Sequence, residues 1–187
     1  MRISFDLDNV IFDIEPLYKM ACDDFNIPYQ VPRSWDINKC YPPNVTERLL
    51  TLFTMDILYT MPLISAEYPA LINQLIDNKN HSVFFVTQRR RAQPAKTFTQ
   101  LRNAGIHCSR PQVYDRGPQP KINVLTELNP DIHFDDSPNV VTDCLREKIP
   151  VTMISNDATP YNHHLRGTVP HYPDLKTALI KNNLLGR

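Results

Sequence analysis

Two aspartates, Asp6 and Asp8, stand at the carboxyl end of the first apolar run, in the segment FDLDNV at positions 5–10. Side chains alternate along a strand, so both carboxylates are expected to point to the same side. Carboxylates this close repel each other and lose hydration where a fold covers them. They therefore need a shared cation, or a proton on one of them. A surface turn is the alternative for this segment taken alone.

Polar side chains follow two further apolar runs, and a lysine opens a helical segment. Thr87 ends the run at 83–86, Asp135 and Asp136 end the run at 132–134, and Lys121 follows the sequence GPQP. Open parallel sheets bind ligands at the carboxyl ends of their strands. Carboxylates suit a hard cation such as Mg²⁺, hydroxyl and ammonium groups suit phosphate oxygens, and an aspartate can attack phosphorus. The sequence therefore predicts a combined phosphate and magnesium site.

Several aspartates crowd near these predicted strand ends in a chain of zero net charge. They are Asp6, Asp8, Asp13, Asp131, Asp135 and Asp136. We expect a metal-free site to be self-repelling, and Mg²⁺ to stabilise the folded protein because it binds only the folded site.

Short apolar runs alternate with segments of helical period along the chain. This is the pattern of an α/β protein, and we predict a three-layer α/β/α sandwich around a parallel, Rossmann-like sheet. The predicted strands are Ile3–Leu7, Val83–Val86, Ile132–Phe134 and Val151–Ile154, with Gln112–Tyr114 as a weaker one.

Capping signals mark the predicted helices between these strands. Ser65 is a candidate N-cap, Pro94 fits a first turn, and Gly105 fits the C-terminal cap of that helix. Ser137-Pro138 has the form of a cap followed by a first-turn proline, and a final helix is expected around 175–179.

One region interrupts the alternation. About fifty residues lie between Asp13 and Pro62, whereas a crossover between parallel strands needs about a dozen. Helical stretches are predicted around Tyr18–Phe25 and Thr46–Leu58. We therefore predict a core domain formed by 1–12 and 63–187, and a small helical cap formed by 13–62. An insertion at this point lies over the ligand crevice and can act as a lid.

Composition excludes several classes of function. Twenty basic and twenty acidic side chains give zero net charge, so bulk binding to nucleic acid or to an anionic membrane is not expected. No apolar stretch approaches the roughly 20 residues of a membrane span, and four acidic residues in the first fifteen argue against a secretory signal. The four cysteines form no CxxC pair, which favours reduced thiols and a cytoplasmic location. The six histidines lack metal-site spacing and are interpreted as surface or packing residues.

The four polar segments resemble the four motifs of the haloacid dehalogenase-like (HAD) phosphohydrolases, in matching order and spacing over essentially the whole chain. They are FDLDNV at 5–10, Val86-Thr87, Lys121 and FDDSP at 134–138. The resemblance is strongest to the 5'(3')-deoxyribonucleotidase-like branch, through Asp13, the compact helical cap and the segment Pro160-Tyr161-Asn162. Asn9 stands where a glycine is commoner in the family, but asparagine tolerates unusual backbone angles.

The resemblance implies a role for each carboxylate. Asp6 is implied as the nucleophile that forms an aspartyl-phosphate and as a metal ligand. Asp8 is implied as the general acid and then the base, with its carbonyl on Mg²⁺. Asp135 is implied as a further Mg²⁺ ligand, and Asp136 as support for the metal's water shell or for Lys121.

The resemblance also implies that Thr87 and Lys121 bind the transferring phosphoryl group. Recognition of the rest of the substrate falls outside the motifs. Arg89, in the run Arg89–Arg91, is a candidate for contact with a phosphate or base, with a solvated helix entry as the alternative. Trp35 is a candidate for stacking on a nucleobase, with packing inside the cap as the alternative. The same alternatives hold for Phe25 and Tyr41.

The predicted function is a Mg²⁺-dependent phosphomonoester hydrolase, and the resemblance makes (deoxy)nucleoside monophosphates the leading substrate class. A sugar phosphate or another small metabolite is the second substrate class. A non-catalytic phosphate- or nucleotide-binding protein on the same scaffold is the third interpretation, and a homodimer is left open. Substrate selection is expected to reside in the cap, because the motif residues recognise only phosphate and metal.

Overall fold

The computed structural model describes residues 1–185, which contain a six-stranded parallel sheet. The strands are β1 (Arg2–Phe5), β2 (Ser82–Thr87), β3 (Val113–Asp115), β4 (Ile132–Asp135), β5 (Val151–Ile154) and β6 (His171–Tyr172). Their order in the sheet is β3-β2-β1-β4-β5-β6, and every pairing is parallel. The strands β2 and β3 lie on one side of β1, and the strands from β4 onward lie on the other side, so the strand order reverses between β1 and β4. Open parallel sheets bind ligands at such a point.

Helices cover both faces of this sheet. The α-helices are α1 (Glu15–Asp23), α2 (Pro43–Leu52), α3 (Tyr68–Asp77), α4 (Pro94–Asn103), α5 (Lys121–Leu128), α6 (Pro138–Arg146) and α7 (Leu175–Lys181). Short 3₁₀ turns span Ile37–Lys39, Asp56–Thr60, Arg110–Gln112 and Pro160–Leu165. The three-layer α/β/α architecture predicted from the sequence is confirmed.

The two faces of the sheet carry two separate hydrophobic clusters, because successive side chains of a strand point to opposite faces. On one face Phe5 stacks on Phe134, with ring centroids 5.1 Å apart, and this cluster includes buried residues of α3 and α7. On the other face Val86 and Met153 pack with buried residues of α5 and α6. Because both faces are covered, the middle of a strand such as β2 is continuously apolar, which is why it stands out in the sequence.

Three of the predicted helix ends are confirmed. Pro94 opens α4, and Gly105 adopts a φ of +86° after that helix, a conformation that glycine reaches without strain. The Ser137 hydroxyl accepts a hydrogen bond from the Val140 N–H at the start of α6.

Other predicted boundaries are corrected. β1 ends two residues before Leu7, which is buried in the turn that follows. Ser65 is not the N-cap of α3, which begins at Tyr68; its hydroxyl accepts from the Glu67 N–H within the preceding turn. β6 was not predicted, since a pair such as His171–Tyr172 is too short to show a period. Its register comes from pairing with β5.

The segment between β1 and α3 forms the compact helical insertion. Its two ends are tied together, since the Asp13 N–H donates to the Pro62 carbonyl at 2.8 Å and the Ile64 N–H donates to the Ile11 carbonyl at 3.0 Å. The stretch predicted at 46–58 divides into α2 and the 3₁₀ turn at Asp56–Thr60, and the stretch predicted at 18–25 becomes α1. Buried residues of the insertion belong to the same hydrophobic cluster as Phe5 and Phe134. The insertion is therefore packed on the sheet domain through a continuous core.

Candidate active site

Asp6 follows β1 directly and is fixed beside β4. Its N–H donates to the Phe134 carbonyl at 2.8 Å, and its Oδ1 lies 2.7 Å from the Nζ of Lys121, the first residue of α5. Both side chains are buried. Burial raises the pKa of Asp6 well above its ordinary value; the Lys121 ammonium opposes this shift, and the neighbouring carboxylates add to it.

Both carboxylate oxygens of Asp135 are engaged by donors. Its Oδ2 accepts from Lys121 Nζ at 2.7 Å and lies 2.8 Å from His133 Nε2, while its Oδ1 accepts from the Ser137 N–H at 2.8 Å. His133 Nδ1 in turn lies 2.9 Å from the Ser4 hydroxyl. Burial alone would raise the pKa of Asp135, but Lys121 and His133 outweigh it and lower the pKa to about 2.

Asp136 has a different environment. Its Oδ2 accepts hydrogen bonds from the Tyr161 hydroxyl and from Asn9 Nδ2. Burial, and next the charge of Asp135, raise the pKa of Asp136 to about 7, against the effect of the Tyr161 hydrogen bond. Among residues 1–185 no hydrogen-bond donor contacts its Oδ1.

The three carboxylates form a donor set that suits a divalent cation. One oxygen from each of Asp6, Asp135 and Asp136 lies within 4.8 Å of the others, and all three side chains are buried. Lys121 supplies one compensating positive charge to three carboxyl groups, which leaves the cluster net negative when they are ionised. Hard, all-oxygen donor sets of this kind favour Mg²⁺ or a similar ion. The residues present therefore fit a bound divalent cation.

The Asp8 carboxylate is held by Arg89. Its Oδ1 accepts from Arg89 Nη2 at 2.7 Å and its Oδ2 accepts from Arg89 Nε at 3.1 Å. Arg89 also donates to Gln100, and its guanidinium lies 5.0 Å from the ring centre of Tyr59. Burial opposes the charge on Arg89, but Asp8 more than compensates and raises the pKa of the guanidinium.

The solvated helix entry considered for the arginine run is wrong for Arg89, which is only 3% exposed. Arg90 and Arg91 are exposed, as that interpretation expects. A run of three arginines does not distinguish its members, because the buried partner Asp8 lies 81 positions away in the sequence.

A cleft of about 650 Å³ opens above these groups. Thr87, at the end of β2, is buried and lines it together with Asp6 and Lys121. Asp8 and Asp136 line the same cleft. The structure therefore brings the predicted catalytic and phosphate-binding side chains to one edge of the sheet.

The three aromatic residues of the insertion considered as stacking candidates lie in three different environments. Trp35 lines the cleft, is 45% exposed, and has its ring centre 5.4 Å from that of Tyr161. Tyr41 is buried and its hydroxyl donates to the Gln30 carbonyl, so it packs inside the cap. Phe25 is exposed and does not line the cleft. Of these three aromatic residues, Trp35 is the one that a ligand in the cleft can contact.

Two aspartates grouped with the site in the sequence lie outside it. Asp131 lies at the amino-terminal ends of β1 and β4, away from the site, where its Oδ2 accepts from the Arg2 N–H at 2.7 Å. Asp13 accepts from the Glu15 N–H at 2.9 Å and does not line the cleft. The expectation that Asp131 joins the carboxylate cluster is wrong because it precedes β4, whereas Asp135 ends it.

Sequence reasoning missed the polar groups behind the carboxylates. His133 is fully buried between Ser4 and Asp135, and its interpretation as a surface or packing residue did not identify its hydrogen bond to Asp135. A histidine inside an otherwise apolar strand is the signal that could have found it. Asn9 adopts a φ of +59°, which fits its position in place of a glycine.

The parallel six-stranded sheet with helices on both faces is an α/β fold that matches HAD-like hydrolases of known structure. The chain is similar to a HAD-like family hydrolase, SP0104, from Streptococcus pneumoniae. That likeness has a TM-score of 0.64 and 13% identity, and covers 96% of this chain and 97% of the other.

Two further solved structures are similar. A HAD family hydrolase from Deinococcus radiodurans, solved with bound phosphate and sodium, gives a TM-score of 0.62 at 15% identity over 98% of this chain and 96% of that one. The candidate HAD-hydrolase YfnB from Bacillus subtilis, bound to magnesium, gives 0.59 at 13% identity over 97% and 98%. No protein-family model and no curated protein sequence matches the chain. None of the helices in residues 1–185 has the length and hydropathy to cross a membrane.

Proposed function

We propose that this protein is a Mg²⁺-dependent phosphomonoester hydrolase that works through an aspartyl-phosphate. The observation that carries the proposal is the group at the ends of β1 and β4, where Asp6 meets Lys121 at 2.7 Å and lies in one cluster with Asp135 and Asp136. Phosphate and magnesium in the similar bacterial structures support the same chemistry.

The hydrogen bonds favour one change to the roles implied by the motifs. Asp135 already uses both oxygens, on Lys121, His133 and the Ser137 N–H. Asp136 keeps Oδ1 available. We therefore assign Asp136, with Asp6, to the metal, and Asp135 to the positioning of Lys121. The Asp8 carbonyl stays in the proposed ligand set. Bound there, Mg²⁺ supplies positive charge that offsets the charge of the phosphoryl oxygens.

In the first step an oxygen of Asp6 bonds to phosphorus and the bond from phosphorus to the ester oxygen breaks. Asp8, which is a carboxylate in its two hydrogen bonds to Arg89, first takes up a proton from solvent and then gives it to the departing alcohol. In the second step water attacks the aspartyl-phosphate, Asp8 accepts the proton, and phosphate and free Asp6 result. Lys121 and Thr87 hold the phosphoryl oxygens, while Arg89 fixes the position of Asp8 through two hydrogen bonds.

We assign nucleoside monophosphates as the leading substrate class. Trp35 supports this assignment, because its half-exposed ring lines the cleft and can stack on a base. Direct contact between Arg89 and a substrate stays a prediction, since the guanidinium is committed to Asp8 in this structure. The four free thiols support a reducing compartment, and we propose the cytoplasm.

The test is a phosphate-release screen over nucleoside monophosphates, sugar phosphates and p-nitrophenyl phosphate, with Mg²⁺ or with EDTA. Asp6→Asn is the matched control, since it keeps the size of the side chain and removes the nucleophile. We expect Mg²⁺-dependent release that is fastest from nucleotides and absent in Asp6→Asn. Faster release from sugar phosphates would reassign the substrate. Binding without release from any compound would favour a non-catalytic phosphate-binding protein.

A further inference from the structure

Tyr161 lies in the 3₁₀ turn that follows β5, and this turn is fixed to the ends of two strands. The Nδ2 of its neighbour Asn162 donates to the Asp136 carbonyl at 2.7 Å and to the Ile154 carbonyl at 2.9 Å. Asn162 is fully buried and Tyr161 is 6% exposed. The Tyr161 ring therefore has a defined place at the edge of the sheet.

The Tyr161 hydroxyl both donates and accepts a hydrogen bond. It donates to Asp136 Oδ2 and accepts from Asn9 Nδ2 at 2.9 Å, and Asn9 Nδ2 also lies 3.3 Å from the same Asp136 oxygen. The three side chains are hydrogen-bonded to one another, and such a network holds one orientation of each. Asp136 is thus held through Oδ2, which leaves Oδ1 as the oxygen for a cation.

The Tyr161 ring contacts the cap as well. Its centre lies 5.4 Å from that of Trp35, with the ring planes tilted by 59°. Trp35 belongs to the insertion, whereas Asp136 follows β4 of the sheet domain. One side chain therefore touches both a carboxylate of the cluster and the aromatic residue at the mouth of the cleft.

We propose that Tyr161 is a positioning residue for the metal site, which acts through its hydroxyl on Asp136 and joins that carboxylate to Trp35 of the cap. This inference rests on the proposed function, and it concerns a residue that takes no part in the bond-breaking steps. Mutation of a group that orients a metal ligand through a hydrogen bond typically lowers the metal affinity 10- to 100-fold.

The experiment measures binding of Mg²⁺ alone to the metal-free full chain by titration calorimetry. Tyr161→Phe removes only the hydroxyl. Tyr68→Phe is the matched control, because the Tyr68 hydroxyl is also buried and hydrogen-bonded, to the Leu175 N–H at 3.2 Å, away from the cleft. Trp35 is the single tryptophan, so its fluorescence reports whether the cap keeps its contact with the ring.

We expect Tyr161→Phe to raise the Kd for Mg²⁺ about 10-fold or more, with the Trp35 spectrum unchanged and Tyr68→Phe like the wild type. At saturating Mg²⁺, kcat should return toward the wild-type value. The effect should vanish in an Asp136→Asn background, because the hydroxyl acts through that carboxylate.

A wild-type Kd in Tyr161→Phe would overturn the inference and leave the proposed function standing. The inference would also be overturned if Tyr161→Phe lowered the affinity for Mg²⁺ equally in the wild-type and in the Asp136→Asn background. Where Tyr161→Phe does not fold, Asn9→Gly tests the same network, since it removes the amide that fixes the hydroxyl and keeps a residue suited to φ of +59°. A wild-type Kd there contradicts the inference, and a higher Kd supports orientation of Asp136 by Asn9 and Tyr161 together, since Asn9 contacts both. A wild type that binds no Mg²⁺ would overturn this inference and the metal-dependent function together.

Discussion

Replacement of Lys121 by methionine tests how the buried carboxylates are stabilised. The Lys121 Nζ lies 2.7 Å from Asp6 and 2.7 Å from Asp135, and its side chain is 4% exposed. Removing one partner of a buried ion pair costs about 3–5 kcal/mol, because the other charge is left without compensation. Asp135 keeps its bonds to His133 and Ser137, and Asp6 can take up a proton, so we expect a loss of about 3 kcal/mol, at the lower end of that range. The free energy of unfolding of a typical domain is about 5–15 kcal/mol in total.

The assay is urea unfolding in EDTA, with Lys176→Met as the control. Lys176 pairs with Glu67 at 2.8 Å, but both side chains are nearly half exposed, at 48% and 45%. Such a pair contributes about 1 kcal/mol or less. Part of the Lys121→Met loss should return as the pH is lowered from about 7.5 to about 5.5, because protonation removes repulsion among the carboxylates. A loss in Lys121→Met no larger than that in Lys176→Met would refute the reasoning.

Three further predictions follow from the site. Asp8→Asn should lower kcat/KM, which reports the steps up to release of the alcohol, at least about 100-fold for alkyl phosphates, and less for p-nitrophenyl phosphate, whose leaving group needs no proton; equal losses of kcat/KM would contradict the acid role. The raised pKa of Asp136, about 7, means that the folded protein binds more protons than the unfolded chain between the ordinary value of 3.8 and about 7. Metal-free stability should therefore fall as pH rises through that window, and Asp136→Asn should flatten the slope seen in urea titrations; an unchanged slope would count against the assignment. Trp35→Ala should raise KM for nucleotides roughly 5- to 150-fold, the equivalent of about 1–3 kcal/mol of stacking, with little change on p-nitrophenyl phosphate; equal effects on both would mean that Trp35 only packs the cap.

The sheet is predictable because its strands are covered on both faces. Mostly apolar runs such as 83–86 and 151–154 mark buried parallel strands, and the polar residues that follow strand ends must then meet at one edge. This pattern alone is enough to group Asp6, Thr87 and Asp136 at that edge. The two-residue strand β6 carries no such pattern and depends on its neighbour β5.

The contacts that connect distant segments could not be predicted. Arg89 and Asp8 are 81 positions apart, and nothing local distinguishes Arg89 from the exposed Arg90. The different contacts of Asp135 and Asp136 could not be predicted for the same reason. It depends on where Lys121 and Tyr161 fall in three dimensions, because two adjacent aspartates are equivalent in the sequence.

The most direct test of the proposed mechanism is to trap the phosphoryl group on the protein. The enzyme is mixed with a radiolabelled phosphate monoester and Mg²⁺, quenched in acid, and digested for peptide mapping by mass spectrometry. We predict label on Asp6, none without Mg²⁺, and none in Asp6→Asn. Label on another residue, or sustained turnover by an Asp6→Asn sample verified to be free of deamidation, would contradict the covalent mechanism.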